Sequence, residues 1–288
     1  MRFKCANRIS IFLRSRRDCS KASVSAKDRA TSRACSWMSR GILRNGTFGQ
    51  HSALSSQPPQ SCFAVDTEHQ LIVAHEVTNS GSDRAQLANM AKQAMGVLKT
   101  ETLEAVADRG YFSSPEILAC HEAGITVTLP KPLTSGAKSE GRFGKQDFVY
   151  LPKEDAYRCP AGEQLPYRFT SEEDGKRIRR YWTTACQNCS LKSQCTTGPE
   201  RRIPRWEHEH LLEAVQQRLD ANPQAMRQRR ETVEHPFGTM KARMGATHFL
   251  TKTLPKVAAE MALSVLAYNL TRVMNIVGTK PLMAAIGA

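Results

Sequence analysis

The feature that most constrains the fold is the alternation of strand and helix patterns that begins at Phe63. The stretch FAVDTEHQLIVAHEVTN predicts a β-hairpin, with one strand ending near Asp66 and another over Leu71 to Thr78. An amphipathic helix pattern follows, then a short apolar strand that stops at Asp108. A second helix, closed by Gly124, leads into a further strand. This order predicts an α/β fold, with a mixed sheet flanked by helices.

The remaining patterns divide the chain into five segments. Residues 1–62 are basic and rich in Ser and Arg, without a sustained period of 2 or 3.6. We expect them to be a disordered DNA-binding arm, a targeting peptide or a stretch translated out of frame. Residues 63–133 form the first part of the α/β domain, and residues 134–205 form a polar, cysteine-rich insertion. Residues 206–278 are its helical C-terminal part, and residues 279–288 are a tail.

Charge restricts the partners of this chain. The net charge is +14, and twelve Lys and Arg but only two Asp lie in the first 60 residues. A strong basic excess indicates that the chain binds a polyanion, most often a nucleic acid. The alternative is a soluble basic protein without such a partner. No uncharged apolar run reaches the roughly 18–20 residues of a membrane span, and no signal-peptide core is present. We therefore expect a cytoplasmic, nucleoid-associated protein that binds DNA and not membranes.

Helix patterns fill the C-terminal part. One helix is expected to kink or break near Pro236, because proline lacks an N–H and crowds the preceding turn. The last long helix is expected to start at Thr253–Pro255 and end at Gly278. Its apolar stripe predicts a seam that faces the core, formed by Leu263, Leu266, Leu270, Val273 and Val277.

Two acids stand in positions suited to chemistry. Asp108 ends a buried strand, and ligands of open α/β sheets bind just past the strand ends. Glu234 lies in RRETVEHPFGTMK, and Arg230 and Lys241 of this stretch, with Arg227 just before it, are spaced to share its face of an unbroken helix. Two carboxylates brought together can hold Mg²⁺ for phosphoryl transfer. The alternatives are a turn residue for Asp108 and a solvated Arg–Glu pair for Glu234.

Four of the nine cysteines cluster in the proposed insertion. Cys186 and Cys189 have a chelating spacing, and Cys159 and Cys195 would complete a set of four thiolates suited to tetrahedral Zn²⁺. Unligated buried thiols are the alternative, since the gap from Cys189 to Cys195 is wide.

Several of these motifs together resemble the DDE-type transposases of bacterial insertion sequences. The resemblance is carried by AVDTEHQLIVAHEVTN, ADRGYFS, CPAG, ACQNCSLKSQCT, RRIPRWEHEH, RRETVEHPFGTMK and VLAYNLTRVMNI. It implies an RNase H-like fold and two divalent metal ions, Mg²⁺ or Mn²⁺, for cleavage and joining of DNA strands. It makes Asp108 the second acid of the triad and Glu234 the third.

The resemblance also implies partners. Arg230 and Lys241 match the family's Arg and Lys, and would hold DNA phosphates, while Arg227 stands where the family usually has Tyr. The DNA would be the terminal repeats of the element and its target. A homodimer is expected, because synapsis joins two DNA ends.

The first acid of the triad has no counterpart in the expected place. It would fall near residues 40–48, where RGILRNGTFG contains none. Asp66 is a weak substitute, because it ends the following strand. We therefore expect a transposase that lacks the opening strand and is defective in strand transfer. A noncatalytic DNA-binding protein or repressor derived from a transposase, and a relic that does not fold, are the alternatives.

Overall fold

The computed structural model describes residues 8–14, 59–80, 82–132 and 136–287. These residues form two five-stranded sheets and six α-helices. The strands are β1 (Arg8–Arg14), β2 (Gln60–Asp66), β3 (Ile72–Thr78), β4 (Leu103–Ala107), β5 (Ile125–Thr128), β6 (Val149–Leu151), β7 (Ala156–Arg158), β8 (Gln164–Glu173), β9 (Lys176–Tyr181) and β10 (Ile203–Trp206). The helices are α1 (Leu87–Leu98), α2 (Ser114–Glu122), α3 (Glu209–Ala221), α4 (Ala225–Ala242), α5 (Leu254–Val277) and α6 (Thr279–Ile286).

The first sheet is mixed and has the strand order β3-β2-β1-β4-β5. The predicted hairpin is confirmed: β2 and β3 pair antiparallel around a turn that follows Asp66. On its other side β2 pairs antiparallel with β1, while β1, β4 and β5 run parallel. The mixed α/β architecture predicted from the sequence is confirmed, and it is consistent with an RNase H-like fold.

The centre of this sheet comes from the basic N-terminal segment. The expectation that residues 1–62 hold no ordered structure is wrong for Arg8–Arg14, which form β1, and for 60–62, which begin β2. The expected loss of the opening strand is wrong for the same reason. Ile11 of β1 is fully buried among the core residues of the sheet, and Ser10 beside it is fully buried as well. Seven residues are enough for a strand, but too few to stand out against the polar composition around them.

Helices cover both faces of the first sheet. On one face α1, α2 and α3 pack over Ile11, Ala105 and Ala107. On the other face α4 and α5 pack over Phe63 and Val65 through Val233, Phe237, Met240, Val265 and Tyr268. Successive residues of a strand point to opposite faces, so β2 and β4 contribute to both layers. Among the described residues, no helix is long and apolar enough to cross a membrane.

The second sheet is antiparallel and has the order β10-β9-β8-β7-β6. It lies in the chain between β5 and α3, within the range expected to be an insertion. Its core is aromatic, and the hydroxyls of Tyr150 and Tyr181 donate to Asp155 at 2.8 and 2.9 Å. Arg205 connects this sheet to α3, because its guanidinium lies 3.7 Å from the Tyr150 ring centre and also donates to Glu213.

The expected break near Pro236 and the expected C-terminal tail are wrong. Helix α4 runs without a break from Ala225 to Ala242, with Pro236 inside it. Proline in a helix interior costs about 3 kcal/mol, but Val233, Pro236 and Phe237 are buried together against the sheet, and this packing offsets the lost hydrogen bond. The segment expected to be a tail forms helix α6, which packs against α5.

Helix α5 has two apolar faces, and only one of them meets the sheet. Val257, Val265 and Tyr268 face inward and are at most 6% exposed. Leu263, Leu266 and Leu270 face outward and are 68%, 63% and 45% exposed. The expectation that this leucine stripe faces the core is therefore wrong.

Candidate active site

Asp108 lies at the carboxyl end of the central part of the first sheet. It follows β4 directly, and its Oδ1 accepts a hydrogen bond from the Arg109 amide at 2.7 Å. The turn behind it is fixed by Tyr111, which is buried and whose hydroxyl lies 3.1 Å from the Cys62 thiol. The Asp108 side chain remains 53% exposed. A rigid turn therefore presents a carboxylate to solvent, as the sequence predicted from the strand end.

Helix α4 crosses the sheet over β1 and β4 and brings a buried arginine to Asp108. Arg229 is only 8% exposed, and its Nη2 lies 3.8 Å from Asp108 Oδ2. The same guanidinium donates to the backbone oxygen of Ile11 on β1 at 3.3 and 3.4 Å. One cation thus connects β1, the end of β4 and α4.

Glu234 is exposed and lies on α4 five residues after Arg229. Burial lowers the pKa of the Arg229 guanidinium, while the negative charges of Asp108 and Glu234 act in the opposite direction. Both acids are therefore close enough to Arg229 to stabilise its charge. The two predicted acids therefore both lie within electrostatic range of the same buried guanidinium.

The central strand adds no third acid. The register between β1 and β4 pairs Ile11 with Ala107, and its continuation places position 12 beside Asp108. RISIFLR contains neither Asp nor Glu. The stretch 40–48, where the first acid was expected, lies outside the described residues.

Asp66 lies at the other end of the sheet. It pairs with Ile9, whereas Asp108 follows the partner of Ile11. The two acids are therefore separated by about 10 Å along the strands and about 10 Å across them. Asp66 is fully buried, and its Oδ2 accepts from the His69 amide at 2.7 Å. It stabilises the β2–β3 turn, and it is too far from Asp108 to bind the same ion.

Comparison with known proteins fits this geometry. Residues 158–274 match the family model of the transposase DDE domain. This part of the chain is therefore similar to transposase DDE domains. The match includes Glu234 and Arg229, together with the four clustered cysteines, and begins after Asp108. No curated protein and no solved structure matches the chain. DDE domains generally use divalent metal ions such as Mg²⁺.

The basic residues predicted to bind DNA lie along one side of α4. Because the helix continues through Pro236, Arg230 and Lys241 share a stripe with Glu234. Arg230 is exposed and Lys241 is half-buried. Arg227 lies on the same stripe, but its Nε is 2.9 Å from Glu231 Oε1 in an exposed pair. Arg230 and Lys241 are therefore the stronger candidates for phosphate contacts.

Sequence reasoning missed Arg229. The resemblance directs attention to its neighbour Arg230, and the doublet RR gives no reason to prefer either. The signal in the sequence was the position of Arg229 around the helix. It lies four residues before Val233 and eight before Phe237, so it shares the helix face of these two buried residues. A charged residue on the buried face of a helix needs a partner, and this one has Asp108.

The four clustered cysteines line one cavity. It is lined by Cys159, Cys186, Cys189 and Cys195, with Phe143, Phe148, Leu165 and Leu191 among the apolar residues. Burial raises the pKa of the Cys195 thiol; Arg201 opposes this shift, and the other three cysteines add to it. Within the described ranges, no three His, Cys, Asp or Glu side chains are close enough to hold a metal ion as they stand.

The remaining thiols and histidines have structural surroundings. Cys120 lies on α2 and is fully buried in the core of the first sheet. Cys62 is also buried, and burial raises the pKa of its thiol to about 12. His208 at the start of α3 packs edge-on against Trp206 at 5.0 Å between ring centres. Cys5, Cys19 and Cys35 lie outside the described residues.

Proposed function

We propose that this chain is a DNA-binding transposase protein of an insertion sequence that does not complete strand cleavage and joining. One observation carries the proposal: β1 occupies the centre of the sheet beside Asp108 and contributes no carboxylate. A second supports it, because the side chain nearest to Asp108 from α4 is the cation Arg229.

The residues present do not fit a pair of divalent ions. Asp108 and Glu234 would hold a Mg²⁺ ion, whose role would be to polarise the phosphate and activate the attacking oxygen. Two metals sharing a site need a carboxylate that bridges them, and among the described residues no three His, Cys, Asp or Glu side chains are placed to hold a metal ion together. Arg229 also keeps its positive charge at any physiological pH. It therefore competes with a metal ion for Asp108.

DNA binding does not need the missing acid. Affinity for DNA comes mainly from cations that neutralise phosphates, and the chain carries a net charge of +14. On α4, Arg230 and Lys241 flank Glu234 and would hold phosphates that the acid alone would repel. The proposed DNA is the set of terminal repeats that flank the coding sequence, together with target DNA.

The test uses DNA that carries those terminal repeats, incubated with Mg²⁺ or Mn²⁺. We expect the unchanged chain to shift the DNA in a gel but to release no cleaved or joined strand. We expect Phe12→Asp to restore detectable cleavage, because an acid at position 12 would lie beside Asp108 in the register of β1 and β4. Adding Asp108→Asn to that variant should abolish the gained activity. Metal-dependent cleavage by the unchanged chain would overturn the proposal.

A noncatalytic repressor is the second candidate, favoured by the same absence of an acid on β1. The two candidates differ in whether residual chemistry depends on the acids. Under the repressor hypothesis, Asp108→Ala and Glu234→Ala leave DNA binding intact, and no condition yields cleavage. Under the defective-enzyme hypothesis, the same substitutions remove the cleavage that Phe12→Asp restores.

We also propose that the cysteine cavity binds a structural Zn²⁺ ion. Four thiols suit zinc in number and type. Cys159 begins a turn in which the Gly162 amide donates to its backbone oxygen at 2.9 Å, and Gly162 has a positive φ of 89°. Cys186 and Cys189 span a second turn. The thiols are farther apart than a closed site requires, so binding would need their side chains to rotate inward.

Purified protein is expected to contain about one zinc per chain, measured by elemental analysis under reducing conditions. Cys186→Ser should lower that content and the melting temperature, while Cys120→Ala, in the core of the first sheet, should leave the zinc content unchanged. Zinc must displace the protons of the thiols, and burial raises the pKa of Cys195. The affinity should therefore fall as the pH falls. Zinc-free protein with a melting temperature insensitive to zinc and chelator would contradict the proposal.

A further inference from the structure

Arg201 carries a hydrogen-bond donor that is buried and unused. Its Nε is shielded from solvent and has no hydrogen-bond partner. Its Nη2 donates to the backbone oxygen of Phe143 at the long distance of 3.4 Å, and its guanidinium lies 5.6 Å from the ring centre of Phe148. A buried donor without a partner costs stability, so this arginine is placed for a contact that the two phenylalanines do not supply.

The neighbouring arginines differ from Arg201 in having acidic partners. Arg202 Nη2 lies 2.8 Å from Glu200 Oε1, and Arg205 donates to both carboxylate oxygens of Glu213. The ion pairs within the described ranges do not include Arg201. A guanidinium keeps its charge at any physiological pH, and a charge removed from water is normally paired. Arg201 is therefore suited to a negative group other than a described carboxylate.

The cysteine cavity supplies such groups. Arg201 lines it together with the four clustered cysteines, and Lys192 is the other cation in its wall. Phe143 connects Arg201 to the turn that ends at Cys195, because its amide donates to the Gln194 oxygen at 2.8 Å while its own oxygen accepts from Arg201. Burial raises the pKa of the Cys195 thiol, and Arg201 is the strongest charge acting in the opposite direction. Arg201 and Cys195 are therefore held close together in the cavity wall.

A zinc site made only of thiolates has a negative charge to balance. Four thiolates around one Zn²⁺ would carry a formal charge of about −2. Much of the cavity wall is apolar and includes Phe148, Leu165 and Leu191, and an uncompensated charge is costly in such surroundings. A guanidinium in the wall would offset part of that charge. Its N–H would also bond to a sulfur lone pair, as outer partners of metal ligands do.

We propose that Arg201 is a positioning residue of the zinc site, which donates its Nε–H to the thiolate of Cys195 and balances part of the charge of the cluster. This inference rests on the zinc binding proposed above. The inward rotation of the thiols that zinc requires would bring sulfur into the cavity, where the Nε has no competing partner. The unused donor and the excess negative charge would then satisfy each other.

The test measures zinc affinity by competition with a chromophoric chelator at constant pH. We expect Arg201→Met to bind about one zinc per chain at saturation but about 10–100-fold more weakly, the range for loss of an outer partner. Arg201→Lys keeps the charge without the guanidinium geometry and should recover part of that loss. Arg202→Met is the matched control, because the Arg202 side chain is 60% exposed and paired with Glu200. Its zinc affinity should change less than about twofold, as for other exposed pairs.

A spectroscopic signature separates this role from a purely structural one. In protein loaded with Co²⁺ in place of zinc, a hydrogen bond to a thiolate lowers the energy of the sulfur lone pairs. It therefore raises the energy of the sulfur-to-metal charge-transfer band. Arg201→Met should move this band to longer wavelength, whereas Arg202→Met should leave it in place.

Three results would overturn the inference, and they differ in what they imply for zinc. An unchanged zinc affinity and cobalt band in Arg201→Met would remove Arg201 from the site and leave the proposed zinc binding intact. An unchanged chain that binds no zinc would overturn both proposals. Loss of cooperative melting in both Arg201 variants with zinc present would mean that Arg201 acts only through folding.

Discussion

Phe63→Ala is expected to lower the free energy of unfolding by about 3–5 kcal/mol, the range for removing a buried phenylalanine. Phe63 is fully buried on β2, and its ring centre lies 4.9 Å from that of Phe237 on α4. It belongs to the cluster that also holds Val265 and Tyr268 of α5. The substitution therefore leaves a cavity where two helices meet the sheet, and the surrounding strands cannot collapse into it.

Urea unfolding, followed by circular dichroism, measures this change. Phe63→Leu keeps most of the volume and should cost less than about 1.5 kcal/mol. Phe169→Ala, at a ring that is 46% exposed on the second sheet, should cost well under half as much as Phe63→Ala. A loss below about 1 kcal/mol for Phe63→Ala would show that α4 and α5 do not pack on the first sheet as described.

The combined substitution Arg230→Ala and Lys241→Ala is expected to weaken DNA binding about 100-fold, at roughly tenfold for each lost phosphate contact. Both cations lie on the stripe of α4 that holds Glu234. Since each phosphate contact contributes about 0.9 to the slope of log affinity against log salt, the slope should fall by about two. The loss should be similar for any DNA sequence, because phosphate contacts carry no sequence information.

Fluorescence anisotropy with labelled duplexes at several salt concentrations gives both quantities. Lys92→Ala is the matched control, because it removes an exposed charge from α1 on the opposite face of the sheet. It should change the affinity less than about twofold. Equal losses for the control and the double variant would mean that net charge, and not the α4 stripe, determines binding.

Local patterns predicted much of the fold. The bounds of β3, β4 and α5 agree with the alternation and capping signals to within about one residue, because these signals depend on near neighbours in the chain. Asp108 was found as the end of a strand, and Glu234 through its motif. The break at Pro236 was a reasonable local expectation, and it failed because burial of α4 against the sheet outweighs the missing hydrogen bond.

Other features depend on contacts between distant segments. Arg8–Arg14 form a strand because β2 and β4 provide partners on both sides, which a search for local periodicity cannot detect in seven residues. Asp66 and Asp108 both end apolar strands, and the antiparallel pairing of β1 with β2 places them at opposite ends of the sheet. Nothing in the sequence near Asp66 distinguishes its turn from a site.

The sequence by itself determined the chemical groups: the acids Asp108 and Glu234, four clustered thiols and a basic stripe around Glu234. Only the tertiary structure decided which groups meet. It selected Arg229 over Arg230 as the neighbour of Asp108, and it turned the leucines of α5 outward. The physical reason is that a helix with two apolar faces, or with adjacent arginines, has more than one way to pack. The sheet beneath it selects one by shape and by hydrogen bonds such as those between Asn269 and Ile72.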